Sequence, residues 1–276
     1  MKEAEIKRIV REGYASRVQS KSSCCAPASP CCGSGDTTRT ISKAIGYTDK
    51  EMDSVPDGAN LGLGCGNPIA LASLIEGETV LDLGSGAGFD CFLAVNKVGK
   101  NGKVIGVDMT PEMIEKAREN AEKGGYQNVE FRLGEIESLP AADNSIDALI
   151  SNCVINLSPD KKRVFNEAFR VLKPGGRLMV SDIVLLKELP DFIRKSVAAY
   201  VGCISGALMK AEYLDTITEA GFQEVQVLDE AIFPIDCMAN DPTVKAVINK
   251  MDLSEDEIKD TANSVASIKV RGVKPE

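Results

Sequence analysis

The chain has 276 residues, 43% hydrophobic and 26% charged, with a formal net charge of -9 and a pI near 4.9. That length suits one large α/β domain with an appended segment, and the acidic balance, with no basic patch against it, excludes nucleic acid as an expected partner. No run of 18 apolar residues and no apolar N-terminal stretch occurs, so a cytoplasmic protein with no signal peptide and no membrane contact is expected.

In chain order, residues 2–19 carry Ile6, Ile9, Val10 and Tyr14 at helical spacing, an amphipathic helix. KSSCCAPASPCCGSGD follows, small, polar and broken by Pro27 and Pro30, which is the composition of a flexible tether. A helix-and-loop region then runs to about residue 75 and contains the turn-rich SVPDGANLGLGCGNP. Thr79 to Leu83 reads as a buried strand, a glycine turn comes next, and Asp90 to Val98 reads as a helix. KVIGVDM is a second strand, PEMIEKARENAEKGG a helix with Pro111 near its first turn, NVEFRLGEI a third strand and SIDALISNCV a fourth. SPDKKRVFNEAFRVLK is a helix expected to stop around Pro174-Gly175-Gly176, and RLMVSDIVL is strand five. This alternation predicts an α/β fold, a mostly parallel sheet covered by helices. Residues 188–220 read as mainly helical, AGFQEVQVLDEAIF as another strand, and NSVASIKVRGVKPE as a last, antiparallel edge strand.

Gly84, Gly86 and Gly88 in VLDLGSGAGF directly follow a strand, where they permit a tight turn and close approach of a ligand to the backbone, Ser85 included. A dinucleotide fingerprint wants a glycine where this chain has Phe89, and Asp82 sets a carboxylate beside the cleft. A pyrophosphate is repelled by that charge, whereas an amine or sulfonium is attracted. Asp108 ends strand two, placed to accept the hydroxyls of an adenosine ribose, so S-adenosylmethionine is favoured over a nicotinamide cofactor. Met109 and Ile136 are candidates for contact with the adenine, Glu135 follows strand three, and Asn152 and Cys153 end strand four facing the cleft.

Histidine is absent, which removes every imidazole base, relay and metal ligand, while nine cysteines are present: Cys24, Cys25, Cys31, Cys32, Cys65, Cys91, Cys153, Cys203 and Cys237. In a reducing cytosol such a set points to metal binding or thiol chemistry ahead of a disulfide framework. Cys65, in NLGLGCGNP, is expected exposed on a loop able to fold over the cleft, and Cys203, in YVGCISGALMK, sits in the helical insert after strand five. With Cys153 they make three thiols from three segments, a set that suits one trigonal arsenic(III) centre whose methylation needs no proton removed. For each, a buried small hydrophobe is the competing assignment, and it is preferred for Cys91. The paired Cys24-Cys25 and Cys31-Cys32 lack zinc-knuckle spacing but could capture a soft metalloid or exchange with disulfides.

DLGSGAGFDCF, GVDMT, SNCVINL, LKPGGRL, GCISGAL and NLGLGCGNP together resemble the arsenite S-adenosylmethionine methyltransferases over roughly residues 40–230. The resemblance implies a class I methyltransferase Rossmann-like fold, a mostly parallel seven-stranded sheet with an antiparallel edge strand and a smaller helical C-terminal segment. It implies a thiol-bound trivalent arsenic substrate on Cys65, Cys153 and Cys203, an additional redox cysteine for which Cys32 or Cys31 is the candidate, and a thiol reductant such as thioredoxin or glutathione. The expected division is 1–75, helical with the cysteine-rich loop; 76–187, the S-adenosylmethionine-binding core; and 188–276, an arsenic-binding helical segment with the strands completing the sheet. Two other functions fit the same residues: methylation of a small organic nucleophile with structural cysteines, and metalloid sensing on a vestigial cofactor fold.

Overall fold

A computed structural model of the chain describes residues 3–19, 37–68, 73–232 and 263–276. Cys24, Cys25, Cys31, Cys32 and Cys237, and the roles expected of them, lie outside the described residues.

Three helices come first: α1 (Glu3–Gln19), α2 (Thr37–Ala44) and α3 (Asp49–Asp53), the last opened by a reciprocal Thr48/Glu51 capping box. The core then alternates β1 (Thr79–Leu83), α4 (Phe89–Val98), β2 (Lys103–Asp108), α5 (Pro111–Gly124), β3 (Val129–Leu133), β4 (Ile146–Asn152), α6 (Lys161–Val171) and β5 (Leu172–Leu185). Short helices α7 (Asp191–Arg194) and α8 (Val197–Val201), then α9 (Lys210–Glu219), β6 (Gln223–Ile232) and β7 (Val265–Val273) complete the chain.

The seven strands lie in the order β3-β2-β1-β4-β5-β7-β6. β1 to β5 pair in parallel, and β7 runs antiparallel to both of its neighbours. Alternate side chains serve two faces: Leu81 and Leu83 join the core under α6 and α9, while Val80 packs with Phe92 and Ile114 under α4 and α5. A third cluster gathers Val10 of α1, Ile193, Ala199, Ile204 and the thiols of Cys65 and Cys203.

Two boundaries differ in detail from expectation. Helix α6 ends at Val171, ahead of Pro174, and Leu172 already opens β5. The ladder jumps from Ile146–Leu172 to Ala148–Arg177, so Lys173 to Gly176 bulge out where proline cannot donate. The closing antiparallel strand lies one place in from the edge. β7 carries fully buried Ala266, Ile268 and Val270, whereas β6 is exposed along most of its length with Glu224, Asp229 and Glu230, charges that an outermost strand tolerates.

Candidate active site

The strand order reverses between β1 and β4, and the crevice at their carboxyl ends is where an open α/β sheet takes its ligand. The turn after β1 admits only glycine at position 84: φ is 69° and a Cβ there would stand 2.4 Å from Val154 Cγ2. Gly86 and Gly88 also have positive φ, and Gly88 caps α4. The N–H groups of Gly86 and Thr110 donate to the two oxygens of half-buried Asp108, at 3.0 and 2.8 Å. Asp82 is buried and accepts the thiol of Cys91 at 3.2 Å, so Cys91 is packed, as expected.

Burial pushes the Asp82 carboxyl well up, and the neighbouring Asp90 and Asp108 add to the shift. Asp90 rises to about 6 by burial despite hydrogen bonds from Tyr47 and Asn152, and burial raises Asp108 as well. Among the described residues no lysine or arginine forms an ion pair with any of the three. The buried Ser85 hydroxyl, in the glycine turn, has no hydrogen-bond partner. Unneutralised carboxylates around an open polar atom fit a ligand carrying a sulfonium and an ammonium.

The other residues expected at the cofactor are spread around this crevice. Glu135 is ion-paired with Lys7 of α1 at 2.9 Å, and the same ammonium reaches Glu3 at 3.0 Å and Glu137 at 3.4 Å. Ile136 is buried in the core. Met109 packs against the cluster that holds the thiols. Asn152 is turned to the Cys65 loop: its Oδ1 accepts the N–H of Cys65 at 3.0 Å, and its Nδ2 lies 2.7 Å from Gly66 O, 2.8 Å from the Tyr47 hydroxyl and 3.1 Å from Asp90 Oδ2. One amide thereby joins the carboxylate cleft to the first cysteine motif.

That loop is not exposed. Cys65 retains 4% of its accessible surface, its Sγ lies 3.5 Å from Ser181 O, and its carbonyl accepts the Ser267 hydroxyl at 2.7 Å. The glycine after it lets the loop sit close, since a Cβ on Gly66 would fall 1.9 Å from Ser181 Oγ and 3.0 Å from Ser181 Cβ. The flanking glycines therefore allow close seating on β5 and β7 where sequence alone suggested a free lid. Cys153 and Cys203 both hold left-handed backbone, φ 58° and 64°, a strain of about 1–3 kcal/mol each that persists where surrounding contacts enforce it. The Cys203 segment rests on the 3-10 turn Ile155–Leu157: Tyr200 donates to Leu157 O at 3.2 Å and a Cβ on Gly206 would meet Asn156 O at 2.3 Å.

Cys153 lies beside both of the other cysteines. Its carbonyl accepts Cys203 Sγ at 2.9 Å, and its sulfur lies within 4.8 Å of that of Cys65. The group whose ligand atoms lie within 4.8 Å of one another is Cys65, Cys153 and Asp182, with Cys203 adjoining through Cys153. Hydrogen bonds from Cys203 and Cys65, then burial, push the Cys153 thiol well up, and burial pushes Cys65 up. Both therefore stand as neutral thiols near pH 7. Peptide-resolved alkylation with iodoacetamide at neutral pH should label these two more slowly than free glutathione, with rates climbing only under alkaline conditions; fast neutral labelling would contradict this ionisation state.

Tyr47, Asp90 and Asp182 were missed in the sequence. Tyr47 donates to Asp90 Oδ1 at 2.6 Å. Asp182, buried on β5, accepts from Asn156 Nδ2, the Ile183 N–H and the Tyr213 hydroxyl, and burial pushes it up to about 7. The available signal was a carboxylate inside an otherwise apolar strand, MVSDIVL.

Residues 74–221 match a family described as "Methyltransferase domain". A crystal structure of an arsenic (III) S-adenosylmethionine methyltransferase from Chlamydomonas reinhardtii superposes with a TM-score of 0.62 at 32% identity, covering 88% of this chain and 75% of that one. The chain belongs to the arsenite S-adenosylmethionine methyltransferase family. Within it, the arsenite methyltransferase of Halobacterium salinarum is 50% identical over 230 residues, 81% of this chain and 59% of that protein. The human arsenite methyltransferase is 42% identical over 168 residues, 58% of this chain and 44% of that protein. The chain thus spans about half of the length of these family members. S-adenosylmethionine is the cofactor of this domain and fold, and the fold is that of the class I methyltransferases. No helix among the described residues is long and apolar enough to cross a membrane.

The carboxylates predict that cofactor binding depends on pH. Protonating Asp90, whose carboxyl lies at about 6, is expected to remove an attraction for the sulfonium, so S-adenosylmethionine affinity should fall as pH drops through that value. S-adenosylhomocysteine lacks that charge and should weaken less. Calorimetric titrations of both ligands from about pH 5 to about pH 8 check this, and parallel profiles for the two would contradict it.

Proposed function

We propose that this protein transfers the methyl group of S-adenosylmethionine to trivalent arsenic held by Cys65, Cys153 and Cys203. The observation that carries it is the gathering of Cys65 and Cys203 around Cys153, just past the end of β4, joined through Asn152 to the carboxylate cleft. Arsenous acid meets neutral thiols without a change of charge: each As–O bond exchanged for As–S sends the thiol proton to the departing hydroxide and releases water. A thiol adduct exchanges likewise, releasing its own thiol. Raised thiol pKa values thus favour a neutral metalloid over a divalent cation, which demands thiolates.

S-adenosylmethionine supplies an electrophilic methyl group when bound. Gly84, Gly86 and Gly88 would admit it to the backbone, Asp108 would take the ribose, and Asp82 and Asp90 would face its positive charge. The Cys65 loop, pinned by Asn152, Ser181 and Ser267, closes the arsenic side and keeps water out. The arsenic lone pair is the nucleophile, which accounts for a site with no histidine base; positioning carries the rate. Methylation raises the formal oxidation state of arsenic, so two electrons must return from a thiol reductant such as thioredoxin or glutathione, with Cys32 or Cys31 a candidate relay.

Purified protein incubated with S-adenosylmethionine, glutathione and arsenite, with product speciation, tests the proposal. S-adenosylhomocysteine should accumulate only when arsenite is present. Equal turnover with small organic acceptors and no dependence on arsenite would overturn it.

A further inference from the structure

The Asn152 amide faces more acceptors than it has hydrogens. Its orientation is fixed by Cys65, whose backbone N–H can only donate and reaches Oδ1 at 3.0 Å. The amide nitrogen therefore faces three acceptors, Gly66 O at 2.7 Å, the Tyr47 hydroxyl at 2.8 Å and Asp90 Oδ2 at 3.1 Å, with two hydrogens to give. Tyr47 cannot relieve the shortage, because its own hydrogen goes to Asp90 Oδ1 at 2.6 Å and leaves its oxygen as an acceptor. The surroundings hold this arrangement in place. Tyr47 is buried with its ring 4.8 Å from that of Phe89, Asp90 is buried on the first turn of α4, and a Cβ on Gly64 would stand 2.8 Å from Asn152 Nδ2. Gly66 belongs to the Cys65 loop and Asp90 to the cofactor cleft, so with Tyr47 bonded the two compete for what is left.

We infer that Tyr47 is a positioning residue that makes seating of the Cys65 loop depend on the cofactor, by keeping the Asn152 amide one hydrogen short until Asp90 is engaged elsewhere. This rests on the proposed placing of the cofactor's positive charge against Asp90. Without the cofactor, the Asp90 carboxylate draws on the amide hydrogens, and as an anion it is a stronger acceptor than the Gly66 carbonyl. The tie to the loop is then weak. When a cation meets that carboxylate, Oδ2 no longer needs Asn152, and the two hydrogens serve Tyr47 and Gly66. The loop is drawn onto the end of β4. Without the Tyr47 hydroxyl, two hydrogens meet two acceptors and the shortage disappears. Cys65 is thus seated by the methyl donor, ahead of the substrate that its sulfur is proposed to hold.

The test is hydrogen–deuterium exchange on the whole chain without arsenic, at slightly alkaline pH where Asp90 is ionised, following the peptide that spans residues 60–68. Sinefungin, an S-adenosylmethionine analogue with an amine in place of the methylated sulfonium, supplies the cation. It should slow exchange in this peptide about fivefold in the unmodified protein, the effect of one hydrogen bond. Tyr47→Phe, which keeps the ring, should slow it about as much with no ligand present, whereas loss of a purely structural bond would speed it. In that variant sinefungin should add less than about twofold, because both changes relieve the same shortage. Unchanged or faster exchange in free Tyr47→Phe, or equal slowing by sinefungin in both proteins, overturns the inference. No slowing in the unmodified protein overturns it as well, and that measurement stands whether or not the variant folds. Since arsenic is absent, failure of methylation in the assay above leaves this result intact. Sinefungin that binds without changing exchange defeats this inference alone, and sinefungin that does not bind defeats both.

Discussion

Cys153→Ser should reduce arsenite-dependent formation of S-adenosylhomocysteine by at least about a thousandfold, a loss of some 4 kcal/mol of transition-state stabilisation, with affinity for S-adenosylmethionine within about twofold of the original. The size follows from its place beside both other cysteines. Its carbonyl takes Cys203 Sγ at 2.9 Å and its sulfur lies within 4.8 Å of that of Cys65, so replacing that sulfur puts between their segments an oxygen that trivalent arsenic binds weakly. Serine is close in volume and tolerates the left-handed backbone no worse than cysteine, so the fold should persist. The cofactor contacts expected from Asp82, Asp108 and the glycine turn are untouched. Initial-rate assays with calorimetry on the same samples separate the two effects. Substantial turnover in this variant would remove the central sulfur from the mechanism and leave the carboxylate cleft as the only functional feature.

Asn152→Ala should cost about 2–4 kcal/mol of stability, because Tyr47, Asp90, the Cys65 N–H and the Gly66 carbonyl lose a shared partner in a partly buried site. For a chain of this size that lowers the melting temperature by about 4–16 °C. The sharper consequence is local. Without the amide, the Cys65 loop keeps Ser181 and Ser267 but loses its tie to the cleft, so Cys65 alkylation should accelerate and KM for arsenite should rise about tenfold or more. KM for S-adenosylmethionine should move far less. Scanning calorimetry, peptide-resolved labelling and a two-substrate kinetic matrix read these outcomes separately. A stable variant with unchanged Cys65 labelling would mean that the loop is held by β5 and β7 alone.

Much of this was legible in the residues themselves. The buried strands and amphipathic helices from Thr79 to Leu185 follow from local hydrophobic pattern, and most of their boundaries agree within two residues, helped by Gly88, Thr110, Pro111 and Gly125, which punctuate them. The glycine turn with Asp82 and Asp108 is a local arrangement as well, since strand, turn and helix lie within 30 residues. The start of β5 was misjudged because Pro174-Gly175-Gly176 marks a break without saying whether a helix or a ladder is broken. The inward place of β7 depends on which of two strands can bear water, a comparison between segments; the acid-rich face of β6 held that clue.

The sequence by itself determined the fold class, the chemistry available without histidine, and which cysteines lie at strand ends or glycine-flanked turns, because those are properties of a residue and its near neighbours. Only the tertiary structure decided that Cys65 is buried, that Cys153 lies beside both other cysteines, and that Asp182 and Asn152 border them. Those relations join positions 50 to more than 200 residues apart, such as Ser267 with Cys65 and Cys203 with Cys153. They are set by how β5, β7 and α1 pack on the reversal point of the sheet, and no local pattern encodes a distance across that crevice.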